Sequence, residues 1–483
     1  MAETSAALAK KLLAILRKDR DEHLLKIDDY LHGRHDDPYM PATADDEYKL
    51  LAKRAVSNWM PLIVSTPAQA LYVDSFRRGN GASATTGAKS SSKHWQRSRL
   101  DARQHAVHRG ALGYGHSFTV TEKTKRGVIT RGLSALRTAA VYEDAANDIV
   151  PAAAFTVTSW PDGDKVGKAT LWDSRRVYEC TFKNGAEKVT VGAGKLHGSE
   201  ECPVTRFAAG VDLEGRTVGV VEPAMVLNDR INQTIFDLLV AQTYGSFKVR
   251  YATGMAPPLK MEPVYADDSL APEDPDNEII GWKPKIDPDT GQPIPQNIDV
   301  NAKRFLFAED ENVRFGSLEE TPLDGYISSI ETGVKHLSAL TQTPPHYLLG
   351  QIANLSAEAL DAAETSLSRK VEEFKSGFGE SWERVDRLAA ELEGDIARAE
   401  DFEGEVVWRD MESRSLAQAA DALGKLRQQL EIPKKGLWRR VPNVTQAELD
   451  DWSDLADNET PADKLATALT RSAPPQPSAA VTE

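Results

Sequence analysis

The chain has 483 residues, of which 58 are Lys or Arg and 73 are Asp or Glu, so its formal net charge is -15 at pH 7. This length exceeds one ordinary domain and predicts two or more structural units. Proteins that grip duplex DNA usually present a basic surface, so the acidic balance argues against tight static binding. It is compatible with DNA that passes without sticking and equally with an ordinary soluble protein, which is the commoner case.

The two cysteines and the apolar segments limit the class of protein further. Cys180 and Cys202 belong to no CxxC pair, which fits a reducing compartment and leaves a disulfide between them open. No apolar run approaches the ~18–20 residues that a bilayer span requires. The basic amphipathic stretch at 6–18 could lie on a membrane, but packing against its own protein is the commoner use of such a helix. We therefore expect no membrane partner.

The N-terminal part is predicted to be helical. Acidic residues at 45–47 precede apolar residues at helical spacing, as in a helix N-terminus. Residues 79–93 are rich in Gly, Ser, Ala and Thr and predict a mobile loop. A further helix is expected from Trp95 to about His108.

Between Gly115 and Val221 the period of the pattern changes from helical to strand-like. Phe118 and Val120 alternate with polar neighbours, as in a half-buried strand. Two strand-like runs at 177–183 and 186–191 flank Asn184-Gly185, a dipeptide that favours a type I′ turn. This region is therefore predicted to be a small sheet with a hairpin at 176–191.

Two moderate helices are predicted on either side of a proline-rich stretch. The first spans 222–245, because Glu222-Pro223 suits a first turn and Gly245 a stop. The second spans about 322–341. Their apolar stripes include Ile231, Ile235 and Leu238 in the first helix, and Ile330, Val334 and Leu337 in the second.

The stretch between these helices, 246–321, cannot be one helix or one central strand. Nine of the chain's 26 prolines lie between Pro257 and Pro295, and proline fixes φ and lacks a donor. Short strands are expected at 247–251, 278–282, 304–307 and 313–315. A disordered insertion is an equal alternative for 262–278.

The longest predicted helix runs from 356 to about 398. Its apolar residues recur every three or four positions and include Leu360, Leu367, Val371, Phe374, Phe378 and Trp382. A stripe of this length requires a partner surface. We expect helices again within 399–457 and a disordered tail at 458–483.

Motifs for catalysis or metal binding are weak. The segment from Gly81 to Ser90 has one residue too many for a phosphate-binding loop, and Ala88 separates Gly87 from Lys89. No HExxH or GxSxG pattern occurs. His105 and His108 share a helix but have no identifiable further ligand. We expect no catalytic residue, cofactor or metal site.

The order of these elements, with several local stretches, resembles the portal proteins of long-tailed phages. Residues 30–33 (Tyr-Leu-His-Gly) resemble the family's early Tyr-x-x-Gly segment, and 95–101 with 110–115 resemble its helix-to-strand entry into the wing. The most specific match is Thr343-Pro-Pro-His-Tyr-Leu-Leu-Gly350 followed by 354–360. Portals of actinobacterial phages, of the SPP1 type, are similar in these stretches.

This resemblance implies an α+β portal fold, mainly helical, with a small β-rich wing unit and a β-containing clip. It implies a wing at 1–221, stem helices at 222–245 and 322–341, a clip at 246–321, a tunnel loop at 342–355, a long wing helix at 356–398 and a crown at 399–457. The tunnel loop would present to DNA the side chains of Gln342, Thr343, His346, Gln351 and Asn354. The long helix would pack subunits together through Leu360, Leu367, Val371, Phe374, Phe378 and Trp382.

The same resemblance implies a closed ring of twelve subunits that conducts double-stranded DNA without sequence specificity. Its partners would be the major capsid protein, the terminase large subunit and a head–tail adaptor. It would reside at the capsid vertex of the virion after assembly in the host cytoplasm. Two alternatives stay open: a coiled-coil adaptor built on 356–398, and a nucleotide hydrolase using Gly81–Ser90.

Overall fold

The computed structural model divides the chain into two units. One is formed by residues up to Phe236 and from Tyr326 onward, and the other by Asp237–Gly325. About half of the residues are helical, 50% against 22% in strands, which confirms the α+β expectation. The structure describes residues 4–41, 45–79, 93–183, 188–245, 250–253, 259–266, 278–288, 290–294, 314–317, 322–350, 357–409, 416–438, 440–441, 444 and 446–458.

The chain begins with helices: α1 (Ser5–Asp19), a π-helical stretch (Arg20–Leu24), α2 (Leu25–Leu31), α3 (Asp46–Ala55) and α4 (Met60–Ala70). The Thr4 hydroxyl accepts a hydrogen bond from Ala7 N, which caps α1. The apolar face of α1 buries Leu12, Leu13 and Leu16 in a core that it shares with sheet residues such as Phe155. That face is therefore covered by its own protein. Within the described residues, no helix combines the length and the apolar character needed to cross a bilayer.

Strand β1 (Val73–Arg77) precedes helix α5 (Leu100–Tyr114). The sequence predicted one helix from Trp95 onward, but the structure breaks it at Arg99, which has a φ of 57°. A left-handed residue ends the short helical turn at 93–97. The predicted mobile loop at 79–93 lies outside the described residues apart from its two end positions.

Nine strands follow and form two antiparallel sheets. A three-stranded sheet has the order β10-β2-β3, and a larger sheet runs from β4 to β8 with β9 pairing to β7. Their bounds are β2 (His116–Thr124), β3 (Gly127–Leu133), β4 (Thr138–Val141), β5 (Ala153–Ser159), β6 (Gly167–Trp172), β7 (Arg176–Phe182), β8 (Val189–Val191), β9 (Lys195–Leu196) and β10 (Val204–Ala208).

The predicted hairpin is present as the β7–β8 pair, in which Cys180 lies opposite Val191 and Phe182 opposite Val189. Its turn at 184–187 lies outside the described residues. Cys180 and Cys202 are both buried and unbridged, so the disulfide left open by the sequence does not form.

Helix α6 (Glu222–Gly245) leads the chain into the second unit. That unit contains β11 (Arg250–Thr253), β12 (Met261–Tyr265), β13 (Ile279–Pro284) and β14 (Arg314–Ser317). They form two antiparallel pairs, β11–β14 and β12–β13. β12 lies within the stretch for which a disordered insertion was the alternative, and the strand expected at 304–307 lies outside the described residues.

Helix α7 (Asp324–Thr341) returns the chain to the first unit, followed by α8 (Pro345–Leu349) and the 37-residue α9 (Ala357–Glu393). α9 ends before the predicted 398, because Gly394 has a φ of 83° and Asp395 caps the short α10 (Ile396–Ala399). The remaining elements are β15 (Glu405–Trp408), α11 (Leu416–Leu430), α12 (Lys434–Trp438) and α13 (Gln446–Asn458).

Helices were expected within 399–457, and β15 was not predicted there; it pairs antiparallel with β1, for example Phe76 with Val406. The start of the expected crown therefore belongs to the same sheet as a wing strand. The tail predicted to be disordered lies outside the described residues from 459 onward.

Candidate functional site

The two predicted stem helices pack closely together within the first unit. A Cβ on Gly333 of α7 would lie 2.8 Å from Cγ1 of Ile231 on α6, a distance that only glycine tolerates. Val334 and Leu337 are buried in the same core, and Ile235 and Ile330 pack against it half-buried. Leu238 is half-buried and belongs to the second unit. The glycine thus sets how near the two helices approach.

The polar face of α6 is also buried, which the sequence pattern did not reveal. Tyr30 Oη donates a hydrogen bond of 2.6 Å to Asp229 Oδ2, and Ser57 N donates one of 2.9 Å to Asn232 Oδ1. Burial raises the pKa of the Asp229 carboxyl. These polar bonds fix α6 to the N-terminal segment. Val226, near the start of the same helix, is 80% exposed.

The C-terminus of α7 is closed by a local capping arrangement. Thr343 N donates to Ser338 O at 3.1 Å, and Gln342 adopts a left-handed φ of 53°. Lys370 Nζ of α9 donates to the carbonyl oxygen of Thr341 at 2.7 Å. Burial lowers the pKa of the Lys370 ammonium to about 8. The capping bonds match a Schellman motif, with an amine added at the negative end of the helix dipole.

This arrangement corrects two of the predicted tunnel-loop contacts. Thr343 is buried because its carbonyl oxygen and hydroxyl accept hydrogen bonds from Ser338 and Thr341. His346 is buried too, with its ring 4.4 Å from that of Tyr347. Of the predicted tunnel residues, Gln342 is exposed, and Gln351 and Asn354 lie outside the described part of the chain.

The predicted subunit contacts of the long helix are also corrected. Val371, Phe374, Phe378 and Trp382 are buried in the core of their own chain and have no surface left for a neighbour. Trp382 Nε1 donates to His108 Nε2 at 2.9 Å, and the His108 ring stacks on that of Phe378 at 5.2 Å. Leu367 is half-buried against this core, and the side chain of Leu360 lies outside the described set.

A buried ionic cluster holds the end of α9. Arg78 Nη1 lies 2.8 Å from Asp386 Oδ2, and the two side chains are 6% and 4% exposed. Arg398 Nη2 lies 2.9 Å from Glu393 Oε2. Such buried charges stabilise only as a set, because each ion left alone would be desolvated without compensation. The cluster therefore fixes α9, α10 and the end of β1 in one arrangement.

Of the two histidines on α5, His108 has a structural role. His108 accepts the Trp382 bond at Nε2 while its Nδ1 lies 3.2 Å from the carbonyl oxygen of Leu71, to which it donates. Burial lowers the pKa of His108 to about 3, so the ring is neutral. Both nitrogens are engaged. Within the described residues, no group of three or more His, Cys, Asp or Glu could hold a metal ion. The phosphate-loop candidate at 81–90 lies outside them.

A family model described as "Phage portal protein, SPP1 Gp6-like" matches residues 10–462. The chain is 35% identical over 157 residues to the portal protein of Mycobacterium phage D29, and 33% identical over the same length to that of Mycobacterium phage L5. Each of these matches covers 32% of this chain and 32% of the relative, so the chain spans about a third of their length.

One solved structure, titled "Neck of empty GTA particle computed with C6 symmetry", is 12% identical with a TM-score of 0.40, over 79% of this chain and 90% of its own. The family match and the mycobacterial phage relatives confirm the resemblance predicted from the sequence. Since the family match extends over nearly the whole chain, this protein belongs to the SPP1 Gp6-like family of phage portal proteins.

Proposed function

We propose that this protein forms the ring-shaped DNA conduit at the capsid vertex of a tailed phage. The observation that supports this most is the family match over residues 10–462. In this role twelve copies close into a ring, and double-stranded DNA passes through it during packaging and ejection. The ring contacts DNA without reading its sequence, and assembly takes place in the host cytoplasm before the ring becomes part of the virion.

The surfaces of the stem helices support a ring of copies. Val226 on α6 is 80% exposed, and Ile327 and Leu340 on α7 are about half exposed. Apolar side chains on adjacent packed helices favour coverage by a partner. In a closed ring each subunit presents two different faces to its neighbours, so a neighbouring copy would cover them.

The acidic charge and the loop after α7 support passage rather than retention of DNA. Gln342 is exposed and uncharged, and such a group makes weak contacts with phosphates that are easily released. The net charge of -15 opposes lasting attachment of a polyanion. Residues 342–355 would therefore act as the tunnel loop.

We assign the remaining regions in the same way: wing 1–221, stem helices 222–245 and 322–341, clip 246–321, long wing helix 356–398, and crown 399–457. The clip would contact the terminase large subunit during packaging and the head–tail adaptor afterwards. The major capsid protein would surround the ring. Catalysis would belong to the terminase, and this chain would be a structural component.

The two alternatives have less support. A coiled-coil adaptor along the whole of α9 would need its apolar stripe free, but Val371 to Trp382 lie in their own chain's core. A nucleotide hydrolase would need Lys89 to contact phosphate. An ATPase assay of the wild type and Lys89→Ala tests that directly, and activity lost in the variant would favour the enzyme.

The decisive experiment is negative-stain microscopy of the purified full chain, together with its mass by sedimentation. We expect annular particles with a central hole. Val226→Asp should abolish them, because it places a charge on an apolar face that a neighbour covers. Leu196→Asp, at a residue 74% exposed on the edge of the larger sheet, is the matched control and should leave them intact. Monomers under all assembly conditions would refute the conduit.

A further inference from the structure

A broad groove lies along one side of α5. It has a volume of about 1050 Å³ and is lined by apolar groups of α2, α4 and α5, including Leu31, Leu62 and Ala106, and by the end of β3 around Leu133. Arg103 and Arg109 belong to its lining, are exposed, and have no ion pair with any residue that the structure describes. The groove thus combines an apolar floor with uncompensated positive charge.

A rigid turn presents a leucine on the same unit. Leu213 is 93% exposed, and the adjoining Asp212 side chain accepts hydrogen bonds from Glu214 N at 3.0 Å and Arg216 N at 2.8 Å. Gly215 has a φ of 79° and lies so close to Ala145 that an added Cβ would be 2.5 Å from the alanine Cβ. A single exposed leucine is ordinary. A leucine that is held outward by a turn, when the turn itself is packed in place, is preorganised for a partner.

The turn and the groove carry opposite charge. In the turn, Asp212 and Arg216 pair with each other at 2.8 Å, which leaves the charge of Glu214. Glu143 and Asp144 directly precede Ala145, and both are exposed, as is Glu214. Glu143 and Glu214 have no ion pair within the described structure, as Arg103 and Arg109 have none. Opposite charges at the rims of two surfaces steer them together and select against other pairings.

Sheet topology places the two features on opposite edges of one small sheet. The order is β10-β2-β3. The groove is lined by 130–134 at the β3 edge. The turn follows β10 and packs on Ala145, in the connection between β4 and β5, from which the Ile149 carbonyl oxygen accepts a hydrogen bond from Arg206 N of β10. Surfaces on opposite edges cannot bind one another within one chain, but they can join successive copies head to tail.

We propose that the Leu213 turn of one subunit docks into the α5 groove of the next, with Glu214 and Glu143 facing Arg103 and Arg109. The occupant is a second copy of this chain. The inference rests on the proposed ring and names the wing surfaces that would join it.

The test is disulfide cross-linking of assembled full-length protein. Leu213→Cys and Ala106→Cys are combined in one chain, and both sites accept a thiol without disturbing the core because both are exposed. Under oxidation we expect a ladder of covalent multimers on a non-reducing gel, and no ladder from either single variant. The control pair Leu196→Cys with Ala106→Cys should give none. The native Cys180 and Cys202 are buried, so the wild-type chain should form no cross-link under the same oxidation.

Outcomes for the ring and for this contact are separable. Rings that assemble without a ladder overturn the wing contact and leave the conduit standing. A chain that stays monomeric overturns both. A disulfide formed within single chains also overturns the proposal, since it would place the turn and groove together in one subunit. Glu214→Lys should reduce the ladder, and the added Arg109→Glu should restore it.

Discussion

Trp382→Phe distinguishes a core residue from a subunit contact. The indole N–H donates a hydrogen bond of 2.9 Å to His108 Nε2, and both side chains are fully buried. Phenylalanine removes that donor and leaves a buried acceptor unsatisfied, which costs about 1–3 kcal/mol. The smaller ring also leaves a void of roughly 40 Å³, worth about 1 kcal/mol at about 24 cal/mol per Å³. We expect the free energy of unfolding to fall by about 2–4 kcal/mol.

The assay is urea denaturation at several protein concentrations. The loss should be the same at each concentration, because the contact lies within one chain. Trp282→Phe is the matched control at a position 61% exposed and should change stability by less than about 0.5 kcal/mol. In a double-mutant cycle with His108→Phe, the two substitutions should be non-additive, since removing both partners leaves neither the indole donor nor its acceptor unpaired; the Nδ1 bond to the Leu71 carbonyl oxygen is lost whether or not Trp382 is present, so it cancels in the cycle. A Trp382→Phe variant that unfolds like the wild type but assembles less would refute this reasoning.

Three further perturbations test the capping motif, the ionic cluster and the buried histidines. Gln342→Gly should raise the free energy of unfolding by about 0.5–1 kcal/mol because glycine adopts the left-handed φ of 53° without strain; an unchanged urea midpoint would contradict this. Asp386→Asn should cost about 3–5 kcal/mol because it removes the buried carboxylate that lies 2.8 Å from Arg78 Nη1. Asp421→Asn, in an exposed pair, should cost under about 0.5 kcal/mol, and equal effects in thermal denaturation would contradict this reasoning. Burial lowers the pKa of three histidines, to about 4 for His94 and His116 and to about 3 for His108, so the unfolded state binds more protons and stability falls as pH drops from about 6.5 toward 3. The loss at pH 5 should be about 2 kcal/mol for each, and a urea midpoint that is flat between pH 7 and 5 would exclude it for all three.

Local signals in the sequence predicted local structure well. The predicted helix 222–245 has the same bounds in the structure because Pro223 and Gly245 act on the backbone near them. The hairpin strands around 184–185 formed for the same reason. By contrast, the break at Arg99 depends on a left-handed non-glycine residue, which the neighbouring sequence does not predict.

Long-range partners could not be read from the chain. Apolar periodicity identified one face of α9 correctly, yet periodicity does not say whether the covering surface comes from the same chain or from another copy. Trp382 is covered by His108, 274 residues away. Likewise the buried Asn232 accepts a hydrogen bond from Ser57 N. β15 pairs with β1 although more than three hundred residues separate them in sequence. Such pairings follow from tertiary packing, and the sequence around either position alone does not predict them.

The close approach of Ile231 and Gly333 has a consequence for how this protein can vary. Residues 237–325 leave and rejoin the main body through two helices that touch at that point, while the core beside them draws on both halves of the chain. An added or deleted stretch between the helices changes the closure entropy of a loop only slowly with its length. The segment can therefore be exchanged as a module, and a protease cut within it should leave two fragments that remain folded together.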